Sequence, residues 1–298
     1  MITKWLKQNT IYPRARVAAL SLVGSPRFYT PRTAAALCPF EDVEKARAAL
    51  AADAVRLIRR ERDLAIWGTP LGEVATVDTE SAEHISFLVA EFERDVYLSG
   101  PVAVDRGMIV LDAGANIGMF TRQALSAGAQ RVICLEPAPG NVRALKYNVA
   151  AELADGRVSI VEAGAWDTRA TLTFVIDRAR PGRTSCMEPG GESVDACRVQ
   201  VPVLPIDAVI QELVLPRVDF VKMDIEGAEL KALQGAAGVI ERYGPQLAIA
   251  VEHTDDRLCN ARNVRDLVLG INPKYRAVAG PYTITKDRRL APEVLYFF

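Results

Sequence analysis

Apolar positions recur along this chain with two different periods. Between residues 41 and 62, Val43, Ala46, Leu50, Ala54, Leu57 and Ile58 share one helical face, and Pro31-Arg32-Thr33 reads as an earlier helix start. Residues 63–80 alternate instead, with Ile66, Trp67, Val74 and Val77 separated by Gly68, Pro70 and Gly72, which predicts short strands. Residues 81–98 return to helical spacing. The first ninety residues therefore read as a helical N-terminal segment with a small extended insert, a cap or a contact for substrate or partner.

From about Gly107 the pattern changes. Apolar runs at 108–111, 131–135, 158–163, 172–176, 199–204, 219–223 and 247–251 are strand-length, and helices are expected at 117–128, 139–152, 207–214 and 227–242. Continuous buried strands alternating with helices predict an α/β fold built on a doubly wound, mostly parallel sheet. Runs at 275–279, 282–285 and 294–298 follow without helices between them, so the sheet should finish in an antiparallel hairpin.

Composition narrows the class. The chain has 298 residues, 50% hydrophobic and 24% charged, with a formal net charge of -1. That balance excludes a disordered or collagen-like chain, and the missing basic excess argues against a nucleic-acid partner. Cys38, Cys134, Cys186, Cys197 and Cys259 are odd in number and form no CxxC pair, which suits reduced thiols in the cytoplasm. With only His84 and His253, a zinc site built on several histidines lacks its ligands.

The apolar run 17–24 is far short of the roughly 20 residues needed to span a bilayer. Residues 1–40 carry Lys4, Lys7, Arg14, Arg16, Arg27 and Arg32 and no acidic residue. No small-residue cleavage pattern follows, so the expectation is a basic surface arm, with a weak peripheral contact to an anionic membrane as the other reading.

In such a sheet ligands bind beyond the carboxyl ends of the strands, near the point where strand order reverses. Asp112, Glu136, Asp224 and the Glu252–His253 pair fall at those ends. The alternative is that they cap the helices that follow. The first turn, VLDAGANIG over 110–118, joins a strand to a helix start through small residues. It offers Gly114-x-Asn116-x-Gly118 where a pyrophosphate site needs a glycine at the middle position. Glu136 stands where an acidic residue holds ribose hydroxyls. A ribose without phosphates points to an adenosyl ligand.

Residues 91–298 resemble the FkbM family of S-adenosylmethionine-dependent methyltransferases. The resemblance rests on VLDAGANIG at 110–118, EPAPGN at 136–141, FVKMDIEGAEL at 220–230 and the closing Leu295-Tyr296-Phe297. It implies a Rossmann-like class I methyltransferase fold, with a mostly parallel seven-stranded sheet, an antiparallel C-terminal hairpin and the helical N-terminal segment. It also implies methyl transfer from S-adenosylmethionine to a hydroxyl of a sugar, glycan or secondary metabolite.

Carried over by position, Asp112, Gly114, Ala115, Asn116 and Gly118 would surround the methionine part and sulfonium. Glu136 and Pro137 would meet the ribose, and Ala165, Trp166 and Asp167 the adenine, with Tyr97 over the cofactor.

Transfer to a hydroxyl requires a base, and Asp224 or His253 is the candidate, with Lys222 tuning it or holding the acceptor oxygen, and Glu226 close by. Glu229, one turn on, could simply face solvent. Asp224, Glu226 and Glu252 are oxygen ligands of the kind Mg²⁺ takes, but VEHT at 251–254 lacks a paired-Asp signature, so no required metal is expected. The loop 177–198, with Arg178, Arg180 and Arg183, reads as a lid or a solvated loop. A nicotinamide oxidoreductase and a non-catalytic binding protein are the competing readings. The acceptor and the oligomeric state are not legible.

Overall fold

The computed structural model describes residues 54–298 apart from 79, 99–100, 178–183, 186–195, 255 and 285–289. The basic arm, most of the helix expected over 41–62, and Arg178, Arg180 and Arg183 lie outside the described residues.

Arg56–Glu61 (β1), Leu64–Thr69 (β2) and Gly72–Val77 (β3) form an antiparallel meander. The helix expected as far as Arg62 is therefore a strand from Arg56 onward. Arg62, at φ 55°, turns the chain, and β1 pairs with β2 from Arg56–Gly68 to Glu61–Leu64. Leu57 and Ile58, placed on a core face by helical spacing, are 42% and 43% exposed. Their spacing fits either element, and pairing with β2 decides between them. The alternation over 63–80 is realised. Ala65 and Trp67 pack with Ile85 and Val89 of α1 (Ala82–Arg94), while Ile66, Val74 and Ala75 pack with Ile117 and Ala144.

Strand and helix then alternate through β4 (Ile109–Ala113), α2 (Met119–Ser126), β5 (Arg131–Leu135), α3 (Pro139–Asn148), α4 (Ala150–Ala154) and β6 (Val158–Val161). The strands expected at 172–176 and 199–204 leave this sheet. β7 (Gly164–Ala165), β8 (Ala170–Asp177), β9 (Thr184–Ser185) and β10 (Ala196–Leu204) form their own sheet, with β8 and β10 antiparallel from Ala170–Val203 to Asp177–Ala196. A parallel pair needs a crossover, usually a helix, and the sequence between these two strands has no helical spacing.

The chain continues through α5 (Ile206–Glu212), β11 (Phe220–Met223), α6 (Glu229–Gln234), α7 (Ala237–Tyr243), β12 (Gln246–Ala250) and α8 (Arg257–Ile271). The single helix expected over 227–242 breaks at Gly235, whose backbone passes so near Trp166 that a Cβ would stand 1.9 Å from its carbonyl oxygen. Helix α8 was not expected, although Asp256 caps it by accepting from Cys259 N and Ala261, Val264 and Val268 form its buried side.

Last come β13 (Ala277–Ala279), β14 (Tyr282–Ile284), β15 (Leu290–Pro292) and β16 (Val294–Phe297). The main sheet has seven strands in the order β13-β16-β12-β11-β4-β5-β6, parallel from β12 to β6 and antiparallel at β16 and β13. The expected antiparallel finish is present, while Tyr282–Ile284 pairs with β15 outside it.

Alternate residues of the strands feed two cores. Leu111, Ala113, Met223 and Ile249 meet the α5–α8 side, and Val110, Val132, Cys134 and Phe220 meet the α2–α3 side. Strand order reverses between β4 and β11, which puts the crevice over the ends of those two strands. Among the described residues no helix is long and apolar enough to cross a membrane.

Candidate functional site

The site begins beneath the crevice. Asp112 occupies a core position on the α2 side of β4 and is fully buried. Its Oδ2 accepts from Thr121 Oγ1 at 2.7 Å, and its Oδ1 lies 3.2 Å from Lys222 Nζ, on the residue paired with it across the sheet. Lys222 also donates to Gly114 O at 2.7 Å and lies 4.0 Å from Asp224 Oδ2. Burial pushes its ammonium down, but the Asp112 and Asp224 carboxylates outweigh that and hold it above its ordinary value. Asp112 thus does not wrap a ligand as expected. It anchors the lysine that holds the turn.

The turn is forced close to β11. Gly114 sits at φ +77°, and a Cβ there would stand 1.8 Å from Asp224 O. Only glycine tolerates both the conformation and the approach. Four backbone donors of this turn are spent on the protein. Gly114 N and Ala115 N donate to Leu135 O, Asn116 N donates to Glu136 Oε2 at 2.8 Å, and Gly118 N donates to Ala115 O.

Glu136 is buried with three protein donors, since Oε1 also accepts from Ala138 N and Asn141 Nδ2. A carboxylate accepts at about four positions, so one remains. None of Asp112, Glu136, Asp224 or Glu252 is the cap residue of the helix that follows it, which removes the capping alternative.

Above the turn lies a cleft enclosing about 570 Å³, its open mouth included. Tyr97, Gly114, Ala115, Asn116, Lys222 and Asp224 line it together. Leu88, Glu91 and Phe92 of α1 close one side, so the N-terminal helix contributes directly to the site. Tyr97 donates to Asp224 Oδ2 at 2.7 Å and meets Phe120 edge-to-face. Burial pushes Asp224 up, but Lys222, His253 and the Tyr97 hydroxyl hold its carboxyl below the usual range.

His253 stands behind Asp224, its Nε2 3.4 Å from Asp224 Oδ1 and 4.0 Å from Glu226 Oε2, and its Nδ1 3.4 Å from Glu229 Oε1. Burial pushes the imidazole down, yet Glu229, Asp224 and Glu226 together raise it to about 10. It is a cation at neutral pH and has no free site to accept a proton, so the structure does not support His253 as the base. Glu229 does not face solvent. It is fully buried, and its Oε1 accepts from Ile225 N and Gly227 N.

Other expected residues do not line the cleft. Ala165 belongs to the second sheet, Trp166 packs beside Val201 and Val203, and Asp167 pairs with Lys231 at 2.6 Å. Gly118, the N-cap of α2, and Pro137 are not among the residues lining the opening. Among the described residues no three His, Cys, Asp or Glu side chains converge as a metal site. Glu91 was missed, because its i, i+3, i+4 relation to Leu88 and Phe92 reads simply as the edge of a helix.

The profile of the methyltransferase FkbM domain matches residues 112–273. Methyltransferase sdnD of Sordaria araneosa is 28% identical over 42% of this chain and 59% of its own length, so the chain spans less than two thirds of that relative. The 31-O-demethyl-FK506 methyltransferase FkbM of Streptomyces tacrolimicus is 29% identical over 61% of this chain and 79% of its own. The crystal structure of methyltransferase FkbM from Methylobacillus flagellatus KT superposes with a TM-score of 0.50 at 21% identity, over 85% of this chain and 58% of that one. The fold is Rossmann-like, of the class I methyltransferase kind, and the chain belongs to the FkbM methyltransferase family.

Proposed function

We propose that the protein transfers a methyl group from S-adenosylmethionine to a hydroxyl oxygen of a small molecule, a sugar or glycan or a secondary metabolite. The observation that carries this reading is the cleft itself. Four amides of its turn are already spent on protein acceptors, while Glu91, Asp224 and the rings of Tyr97, Phe92 and Phe120 suit a cationic ligand. Asn116, standing where a dinucleotide site needs a glycine, also counts against a nicotinamide dinucleotide.

When bound, the cofactor supplies a methyl carbon already activated by the sulfonium. The Gly114–Ala115–Asn116 turn would hold its methionine part, and the remaining acceptor position on Glu136 would take a ribose hydroxyl. Tyr97 keeps the Asp224 carboxylate oriented as a fixed negative charge on the cleft wall. Lys222 supports the turn from below and excludes water there. The name of the Streptomyces relative contains a 31-O-demethyl acceptor, which supports an oxygen target.

Titration calorimetry with S-adenosylhomocysteine tests the reading. Wild-type protein should bind it, and Glu136→Ala should bind at least tenfold more weakly, the size of one lost hydrogen bond to a charged group. Absence of binding by the wild type at high micromolar concentration would overturn the proposal.

A further inference from the structure

We infer that Glu91, on the cleft face of α1, is the residue that accepts the proton of the methyl acceptor. This rests on the methyl-transfer reading above and supplies the base that the other cleft residues do not.

Four titratable side chains line the cleft: Glu91, Tyr97, Lys222 and Asp224. Lys222 is a cation with Asp112 and Gly114 O as partners. Tyr97 spends its hydroxyl proton on Asp224, and burial together with the Asp224 and Glu91 carboxylates keeps that phenol protonated. Asp224 is ionised but held low, so it binds a proton weakly. His253, behind it, is already protonated.

Glu91 differs from all of these. It lines the cleft, and among the described residues no hydrogen bond or ion pair engages its carboxylate. Burial raises it first. Asp224, Glu252 and Glu293 raise it further, Lys222 opposes them, and the result is about 7. A base is most effective when it titrates near the working pH, because it is then both ionised and a good proton acceptor.

The step balances without a further reactant. The acceptor oxygen forms its bond to the methyl carbon, and the carbon–sulfur bond breaks with its electron pair left on sulfur. The hydroxyl proton passes to a Glu91 carboxylate oxygen. The fields of the Asp224, Glu252 and Glu293 carboxylates make that carboxylate more basic, and water resets it after product leaves.

The test needs no acceptor. Sinefungin carries an amine where S-adenosylmethionine carries its reactive methyl, and S-adenosylhomocysteine carries nothing there. A carboxylate aimed at the methyl position should favour sinefungin, increasingly so as pH rises through 7. Glu91→Gln should reduce sinefungin affinity about tenfold, the size of one charge-assisted hydrogen bond, and leave S-adenosylhomocysteine affinity unchanged. The ratio of the two affinities should then be flat from pH 6 to 8, and Glu91→Asp should restore part of its slope.

Equal loss of both ligands in Glu91→Gln would place Glu91 on the amino-acid end of the cofactor and overturn the inference. So would an unchanged sinefungin preference. No binding of either ligand by the wild type would overturn the methyl-transfer reading as well, which separates the two failures.

Discussion

Lys222→Met removes a buried charge and keeps the aliphatic stem. In the native protein Lys222 and Asp112 have side chains 4% and 0% exposed, with Nζ and Oδ1 3.2 Å apart. The ammonium is the charge nearest to that carboxylate. Without it, Asp112 keeps only Thr121, and Gly114 O loses its donor. Removing one member of a buried ion pair costs about 3–5 kcal/mol, because the other is left unpaired in a poorly solvated site. That is a large part of the roughly 5–15 kcal/mol that stabilises a typical domain.

Urea unfolding followed by circular dichroism, with Asp112→Asn and the double variant, measures this. Lys222→Met should lose about 3–5 kcal/mol. The double variant should lose at least 1 kcal/mol less than the sum of the singles, as residues in direct contact do. A loss below about 1 kcal/mol, or strict additivity, would show that the pair is not what holds the turn to β11.

Other consequences follow from named contacts. Gly114→Ala places a methyl 1.8 Å from Asp224 O at φ +77°, so it should abolish S-adenosylhomocysteine binding in calorimetry; wild-type affinity would refute the close approach. His253 titrates in the fold at about 10, above its ordinary 6.5, so its stabilisation is complete below pH 6.5 and disappears as pH rises through about 10. The stability advantage of wild type over His253→Gln should shrink across that window, and a pH-independent difference would contradict the cluster of carboxylates around the ring. Asn148 Nδ2 donates to Ala75 O and Ile117 O while its Oδ1 accepts from Ala75 N. Asn148→Ala should therefore cost about 2–3 kcal/mol in urea unfolding, and a loss under 0.5 kcal/mol would mean that this tie is dispensable.

Much of the site was visible in the sequence because its chemistry is local. VLDAGANIG ends a strand in a small-residue turn, and Lys222 on β11 stands two residues before Asp224 at its end, so their nearness follows from spacing along the chain. Glu229 and Glu91 were not legible for the opposite reason. Each sits at a helical position that is ordinarily solvated, and only the packing of α6 under His253 and of α1 over the cleft removes the water. Asp112 was legible as a strand-end carboxylate but not as a buried one, since Thr121 and Lys222 come from other elements.

The sequence by itself determined the alternation of strands and helices from residue 107 onward, the antiparallel finish of the sheet, and a turn that serves a pyrophosphate poorly. These depend on period, side-chain size and glycine placement, which are properties of neighbours along the chain. Tertiary structure alone decided that residues 56–61 form a strand, that β8 and β10 leave the main sheet, and that His253 is a cation rather than a base. Those outcomes turn on pairing and on fields between residues distant in sequence, such as the Asp224, Glu226 and Glu229 carboxylates around one imidazole.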